Sequence, residues 1–581
     1  LIERLTMQVK EKQLTPEQEK LMQSLIDDGY HKLIAKVLAL RNYETQEKLL
    51  HYSLLHDMDK AVDCVLEAII TERKICVVAD YDVDGATSCA IMVKGLRGLG
   101  ANVEYFVPNR FKHGYGLQPS VIDDMLLSYP DTDMIITVDN GISSIAGVQY
   151  AKERNIYVLV TDHHLEGDER PDTIIVNPNR KDCSFPSKAL AGCGVAFYLI
   201  HAVKDRMTAM CQQGKQPDDI QKGAQYDNRE LADYLAIGTI ADVVPLDTNN
   251  RMLIEYGLKR IRAGGASVGV NAILKVLKIK PESLTTQHIA FRIAPMLNAA
   301  GRMEDMSLGI NLLLCEQHEQ AEIMVENLIA INTERKNTEA AMKEEALHQL
   351  SDVKDTGSQF SCVVFGEDFH EGVIGILASR IKDLKYLPTI VFSEMESDGN
   401  EILLKGSGRS IDGLHLRDAI DYVFKKSPET VVKFGGHAMA AGLTIKKSHL
   451  AKFSELLDEY CASVFQNVKP THVFEYDMEV DWDDISVELV DDINMMVWGQ
   501  HFREPLFYGK FKINKQDVLK DAHLKLYLQA PNGMEIEGMR FFYNKPYVGD
   551  EIEAVFKLSV NRFFNKVNVQ ILIEDAAEIS E

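Results

Sequence analysis

Four short runs concentrate carboxylates and imidazoles in the first half of the chain: DYDVDG at Asp80–Gly85, VDNG at Val138–Gly141, TDHH at Thr161–His164 and IADVVPL at Ile240–Leu246. Asp80, Asp82 and Asp84 alternate and are followed at once by Gly85, as in an EF-hand calcium loop. Such a loop leaves a helix and closes with a bidentate Glu at its twelfth position. Here that position is Ile91, and the approach is Ile75-Cys76-Val77-Val78, a β-branched run that reads as a buried strand. Small and apolar residues at helical spacing follow it. The segment is strand, acidic turn, helix, and the EF-hand is excluded.

The elements that must position these residues lie between Arg73 and Val176. Strand-like KICVVAD, NVEYFVP, MIITVD, IYVLVTD and TIIVNP alternate with helical stretches, which predicts a parallel sheet covered on both faces. In an open parallel sheet, residues just past the C-terminal strand ends converge on one crevice. Three strands end in Asp80, Asp139 and the triplet Asp162-His163-His164, and Asp242 joins from a helical region. Acids packed so closely repel one another unless cations neutralise them. Mixed Asp and His ligands without cysteine favour Mn²⁺ or Mg²⁺. The ligands outnumber the needs of one ion, so two ions about 3.5–4 Å apart are expected, activating a water and stabilising the leaving oxygen of a phosphodiester. An Asp after a strand is more often a turn or helix cap; the conjunction of four runs is what favours metal.

Composition sets outer limits. The 581 residues are 46% hydrophobic and 26% charged, which is ordinary for a multidomain globular chain. Nine cysteines without a CxxC pair suit a reducing, cytoplasmic setting rather than a disulfide framework. No apolar run approaches the roughly 18 residues of a membrane span. The opening LIERLTMQVK has neither a signal-peptide core nor an initiator Met, as a trimmed N-terminus would not. A net charge of −24 argues against a generally basic surface but not against a local basic groove. One segment runs against the trend: from Arg251 to Lys280, seven basic residues face the single acid Glu255.

Together these motifs resemble the DHH phosphoesterase superfamily, which takes its name from the triplet at Asp162-His163-His164. More narrowly, the chain from about Leu49 onwards resembles the RecJ family of bacterial single-strand-specific 5′→3′ DNA exonucleases. The resemblance extends through VPNRFKHGYGL, LAGCGVAF, GTIADVVPL, RIAPMLNAAGRM, HEGVIGILASR, GSGRS and FGGHAMAAG. Glu371 stands where the family often has Pro, and Val83 where Ala is usual; neither is a candidate ligand.

The resemblance implies an α/β fold of two lobes joined by a long helix, with a C-terminal all-β OB barrel. Expected domains are an N-terminal helical extension (1–48), a DHH catalytic domain (49–315), the connecting helix (316–350), a DHHA1 substrate domain (351–465) and the OB domain (466–581). It also implies that Asp80, Asp82, Asp84, Asp139, His163, His164 and Asp242 form a two-metal catalytic site, with Asp139 the candidate bridge. Arg302, Ser407 and Arg409 are assigned to 5′-phosphate recognition, with Arg110 as a further candidate. The glycine loop Gly435-Gly436 and His437 would lie by the scissile or adjacent phosphate. In the barrel, Trp498, Phe502, Phe507, Phe563 and Phe564 are possible stacking groups, and Lys510, Lys512, Lys525 and Arg562 possible phosphate contacts.

The implied activity is metal-dependent release of 5′-mononucleotides from single-stranded DNA in repair and recombination. Single-strand-binding protein and a RecQ-type helicase are expected partners of a monomer, and no membrane is involved. Two alternatives stand beside it. One is a DHH-family oligoribonuclease or cyclic-dinucleotide phosphodiesterase, which would need no long strand-binding path. The other is a non-catalytic scaffold, which would lack the ligands.

Overall fold

The computed structural model describes residues 7–45, 48–109, 112–214, 216–352, 359–395, 401–563 and 566–579. The chain divides into two compact units, one formed by the residues up to Ile329 together with Phe474–Glu581, the other by Ala330–Val473.

In the first unit all five expected strands form one parallel sheet: Lys74–Ala79, Asn102–Phe106, Met134–Val138, Tyr157–Thr161 and Ile174–Val176. Numbered in chain order, they lie 2-1-3-4-5. The order reverses between the first and third strands, which is where an open α/β sheet leaves a crevice for ligands. Register makes that crevice acidic. Ala79 pairs with Val138 and Val138 with Thr161, so the next residues, Asp80, Asp139 and Asp162, emerge side by side at one sheet edge. Helices Pro119–Ser128 and Ile145–Lys152 cover one face, where Val121, Ile122, Met125 and Val148 pack on Cys76, Val78, Ile135 and Val158. Helix Val83–Gly98 lies on the other face beneath helices Gly192–Gln213 and Ala232–Ala241, and is therefore apolar or small almost all round.

The N-terminal extension is helical at Pro16–Asp27, opened by a Thr15–Gln18 capping box, and at Lys32–Leu40. It also carries a short strand, Gln8–Glu11, which the sequence did not announce and which pairs with Val473–Tyr476. Arg41 grips buried Asp477 through both oxygens at 2.6 and 2.7 Å, while Lys12 and the Leu506 amide donate to the same carboxylate.

The C-terminal strands close into a barrel. Phe507–Leu519, His523–Gln529, Glu535–Arg540, Glu551–Phe563 and Lys566–Glu578 follow one another around it as 1-2-3-5-4-1, with only the third and fifth parallel. This is the connectivity of an OB fold. Four of these strands are legible as alternating runs; Glu535–Arg540 is not, because charge and a glycine break its pattern.

The barrel corrects the stacking assignments. Trp498, Phe502 and Phe507 are 2%, 3% and 0% exposed and pack inside the unit. Phe564 lies outside the described residues, as does the side chain of Phe563. The exposed aromatics are instead Phe541 and Phe542, at 51% and 83%. They are held against His523, whose Nδ1 accepts from the Phe542 amide at 3.0 Å. Lys525 and Arg562 are engaged by Glu537 and Asp491, leaving Lys510 and Lys512 exposed.

The second unit holds a mixed sheet of Cys362–Gly366, Thr389–Met395, Leu403–Arg409, Val431–Gly436 and Ala440–Lys446, in chain-order arrangement 4-5-3-2-1. Phe392, Leu404, Leu443, Ile445 and Phe453 centre its core. The Gly- and Pro-free stretch between the α/β blocks forms one helix, His318–Asp352, running from the first unit into the second. No helix among the described residues is long and apolar enough to cross a membrane.

Candidate metal centre

Each acidic run is locked by local chemistry. Asp139 follows its strand in a left-handed conformation, φ 61°. Asn140 then turns its amide back to donate to the Val78 and Val138 carbonyls at 3.1 and 2.9 Å, tying two strand ends together. Asp82 caps helix Val83–Gly98 by accepting from the Gly85 amide at 3.0 Å. Gly85 is required there, because a Cβ would sit 2.4 Å from the Asp80 carbonyl oxygen. Asp84 is buried and accepts from the Gly192 and Cys193 amides at 2.6 and 3.0 Å. Its carboxylate thus faces the start of helix Gly192–Gln213, where the peptide dipoles favour negative charge.

Asp162 has a different job from the other acids. It is fully buried and accepts four hydrogen bonds: from the amides of Ile142 (2.8 Å), His163 (2.7 Å) and His164 (3.1 Å), and from His164 Nδ1 (2.8 Å). Burial pushes its carboxyl up, but the His164 hydrogen bond, the two imidazoles and the Ile142 amide outweigh this and hold it below the usual range. Asp162 therefore orients the His164 imidazole and holds the His163 backbone rather than facing the cluster. Burial pulls His164 down, yet Asp162, with Asp80 and Asp82 behind it, raises its pKa to about 9. The Tyr115 hydroxyl adds a hydrogen bond to His164 Nδ1 at 3.0 Å.

At the centre, His163 Nε2 lies 3.1 Å from Asp139 Oδ1, 3.5 Å from Asp242 Oδ2 and 3.9 Å from Asp84 Oδ2. Asp139 Oδ1 and Asp242 Oδ2 are buried and accept no hydrogen bond, so proximity to the imidazole does not satisfy them. Burial, then the charges of Asp84, Asp82 and Asp80, drives both carboxyls well above the ordinary carboxylate range. Burial also pulls His163 below the usual imidazole value despite Asp84 beside it. A neutral imidazole and crowded oxygens lacking protons to accept form a donor set for a cation. Three overlapping groups have ligand atoms within 4.8 Å of one another: Asp139–His163–His164, Asp84–His163–Asp242 and Asp80–Asp82–Asp139. Every one of the seven residues singled out in the sequence falls in these groups, and Asp139 and His163 each belong to two. Oxygen and imidazole donors around orphaned buried oxygens fit divalent Mn²⁺ or Mg²⁺.

Several supporting residues escaped the sequence reading. RIAPMLNAAGRM had suggested only Arg302, which is half-buried in the last turn of helix Ala294–Met303. In the same helix, Asn298 Oδ1 accepts from the Val83 amide at 3.2 Å. A Cβ on Gly301 would lie 2.0 Å from the Tyr81 carbonyl oxygen, and one on Gly192 2.7 Å from Asp139 Oδ1. The available signal was the glycine itself, because Gly inside a helix costs about 1 kcal/mol against Ala and needs a reason.

The phosphate candidates of the second unit share its sheet. Arg409 donates to Ser407 Oγ at 3.1 Å and to the Gly408 carbonyl at 2.8 Å. It has no carboxylate partner among the described residues, and burial lowers its pKa. Gly375, in the first turn of helix Ile374–Lys385, approaches so closely that a Cβ would lie 2.9 Å from Arg409 Nη2 and 3.0 Å from Ser407 Oγ. Ser407 pairs with Gly442, which pairs with Gly435, and Cβ atoms on those two glycines would meet nothing within 4 Å. The row is open to close approach by a ligand. Gly436 adopts φ 142° at the turn leading to exposed His437. Arg110 lies outside the described residues.

Family comparison agrees with this architecture. The chain matches the DHH family N-terminal domain over residues 74–239, the DHHA1 domain over 357–463 and the RecJ OB domain over 476–575. It is 40% identical to the single-stranded-DNA-specific exonuclease RecJ of Salmonella typhimurium over 558 residues, covering 93% of each chain. Identity to the Escherichia coli protein of the same name is 40% over 569 residues, covering 94% of this chain and 95% of that one. Among solved structures, that of Thermus thermophilus RecJ in complex with Mn²⁺ matches with a TM-score of 0.79 and 26% identity, covering all of this chain and 80% of that one.

Proposed function

The chain belongs to the RecJ family, and on that premise we propose that it is a metal-dependent, single-strand-specific 5′→3′ exodeoxyribonuclease releasing 5′-mononucleotides. The observation that carries the reading is His163 Nε2 within 3.1–3.9 Å of three carboxylate oxygens, two of them orphaned. Non-catalytic relatives would not need to keep such a frustrated cluster.

The seven clustered residues would hold two Mn²⁺ or Mg²⁺ ions, with Asp139 and His163 each shared by two of the three groups. When bound, such ions activate the attacking water and offset charge on the phosphoryl oxygens. The chain's own work is positional. Asp162 fixes the His164 imidazole and the His163 backbone, Asn140 and the Asn298–Gly301 helix hold the acidic turns, and Gly192 lets a helix start against Asp139.

Arg409, Ser407 and the N-terminus of helix Ile374–Lys385 bind the terminal 5′-phosphate. Gly435, Gly436 and His437 contact the neighbouring backbone. A pocket for a terminal phosphate imposes end selection, because an internal phosphodiester lacks that group. The OB barrel favours long strands over dinucleotides. A cytoplasmic monomer working beside single-strand-binding protein and a RecQ-type helicase belongs to the same proposal.

Digestion of 5′-labelled and 3′-labelled single strands with Mn²⁺ or Mg²⁺ tests it. Immediate release of 5′-labelled mononucleotide, with the 3′ label retained on shrinking products, is expected. Equal attack from both ends, or preference for a dinucleotide over a long strand, contradicts it.

A further inference from the structure

The basic segment Arg251–Lys280 is mostly consumed inside the first unit. The Arg251 guanidinium lies over the rings of Phe502 and Tyr43, at 4.1 and 5.1 Å. Arg262 donates to the Leu284 and Met495 carbonyls, Lys259 pairs with Glu255, and Lys275 pairs with Glu322. Arg260 packs over Gly265. Lys278 and Lys280 remain, exposed and without an ion pair among the described residues.

Their neighbour is unusual. Arg292 donates to the Leu277 carbonyl at 2.5 Å, which sets the π-helical turn Ile289–Ile293 against the loop carrying the two lysines. On that turn Phe291 is 72% exposed. Such turns gather at functional sites. Lys278 itself adopts φ 54° just past helix Val268–Val276, where the Ile279 amide bonds back to the Leu274 carbonyl. Glycine or Asn is the favoured residue in that conformation, and any other costs about 1–2 kcal/mol. A lysine there complements the helix dipole, but this does not explain a phenyl ring in water on the turn that Arg292 ties to the lysine-bearing loop. Glu282 is the nearest acid in sequence to Lys280.

We propose that Lys278, Lys280, Phe291 and Arg292 form a second contact for single-stranded nucleic acid, remote from the hydrolysed end. A base stacks on Phe291 while the three cations follow phosphates, the combination that grips a strand without reading its sequence. The surface is also mechanically joined to the metal centre. The π-helical turn continues into helix Ala294–Met303, whose Asn298 and Gly301 hold the Asp80–Asp84 turn. From Phe291 to Gly301 is about 15 Å at 1.5 Å per residue. The proposal rests on the strand-hydrolysing function above and adds where the strand runs.

The test compares Phe291→Ala and the double variant Lys278→Gln/Lys280→Gln with the parent protein. Binding of a long single strand is read without added metal across a salt series, and turnover of a trinucleotide is read with Mn²⁺. Phe291→Ala is expected to bind the long strand roughly five- to hundred-fold more weakly. The double lysine variant should lower the slope of log affinity against log salt by about 1.4, at about 0.7 per phosphate contact on a single strand. Both should turn over the trinucleotide near the parent rate, since cleavage of its first linkage does not draw on the grip along a long strand. Unchanged long-strand binding overturns the proposal and leaves the surface to another partner. An equal loss on the trinucleotide also overturns it, by showing that the substitutions act through the Asn298–Gly301 helix. A parent protein that binds strands but hydrolyses neither substrate defeats the proposed activity instead, and the binding arm still decides the surface.

Discussion

Two buried aspartates in the first unit, Asp139 and Asp477, are equally hidden from water and opposite in every other respect. Asp477 accepts from Arg41, Lys12 and the Leu506 amide; burial pushes its carboxyl up, but Arg41 and Lys12 win and hold it below the ordinary range. Asp139 has an oxygen with no hydrogen bond, four other acids around it, and a carboxyl driven far upward. Burial alone is therefore no mark of function. A buried charge left without compensation is, because folding gains nothing from it until a ligand arrives.

The comparison breaks most visibly on substitution. Asp139→Asn keeps a side chain that tolerates the left-handed backbone. Steady-state hydrolysis of single strands should fall by about 10³-fold or more, as loss of a group stabilising the transition state does. The metal-free variant should melt at or above the parent temperature, since a repelled carboxylate has gone.

Asp477→Asn should do the reverse. It leaves Arg41 buried without its carboxylate, costing about 3 kcal/mol or more in denaturant unfolding, while activity per folded molecule stays within about twofold because its partners Arg41, Lys12 and Leu506 are not residues of the cluster. The pH dependences also oppose each other. The depressed Asp477 carboxyl contributes stability above its unfolded pKa of about 3.9, lost as pH falls through its folded value. The gap between parent and Asp477→Asn should close in acid. The raised Asp139 carboxyl disfavours the metal-free fold as pH rises through its folded pKa, so the advantage of Asp139→Asn should widen with pH.

Mn²⁺ should stabilise the parent and Asp477→Asn alike, by about 2.7 kcal/mol at a hundred times the dissociation constant, and Asp139→Asn far less. The smallest expected effect is Gly301→Ala. Its methyl would press on the Tyr81 carbonyl, shifting the Asp80–Asp84 turn without removing a ligand. About a tenfold loss of kcat, equivalent to 1.4 kcal/mol, with the far-UV circular dichroism spectrum unchanged, would separate positioning from ligation.

How much of this was legible depended on the range of the signal. Strand ends read directly, because β-branched runs stop at Asp80, Asp139 and Asp162 and a parallel sheet aligns such ends. That rule marked the crevice; the full set of seven, with Asp242 from a helix end, came from the family resemblance. What the triplet's first Asp does was not legible: Asp162 looks like its neighbours until its four hydrogen bonds are seen. Nor could pattern distinguish the buried rings of Trp498, Phe502 and Phe507 from the exposed Phe541 and Phe542, since barrel closure buries Phe507 while Trp498 and Phe502 are buried by each other and by Tyr43 and Arg251 from far along the chain. Asn298 and Gly301 act on the acidic turn from more than two hundred residues away, a contact that exists only once helix Ala294–Met303 has packed. The third barrel strand, Glu535–Arg540, is specified by its neighbours rather than by its own alternation.

The most direct measurement is the number of Mn²⁺ ions bound per chain at neutral pH, by equilibrium dialysis with the proton release recorded in parallel. Two ions for the parent and for Asp477→Asn, fewer for Asp139→Asn, and protons released on binding are expected. One ion or none on the parent protein, or two that Asp139→Asn retains with unchanged affinity, would contradict a metal centre built from these uncompensated carboxylates.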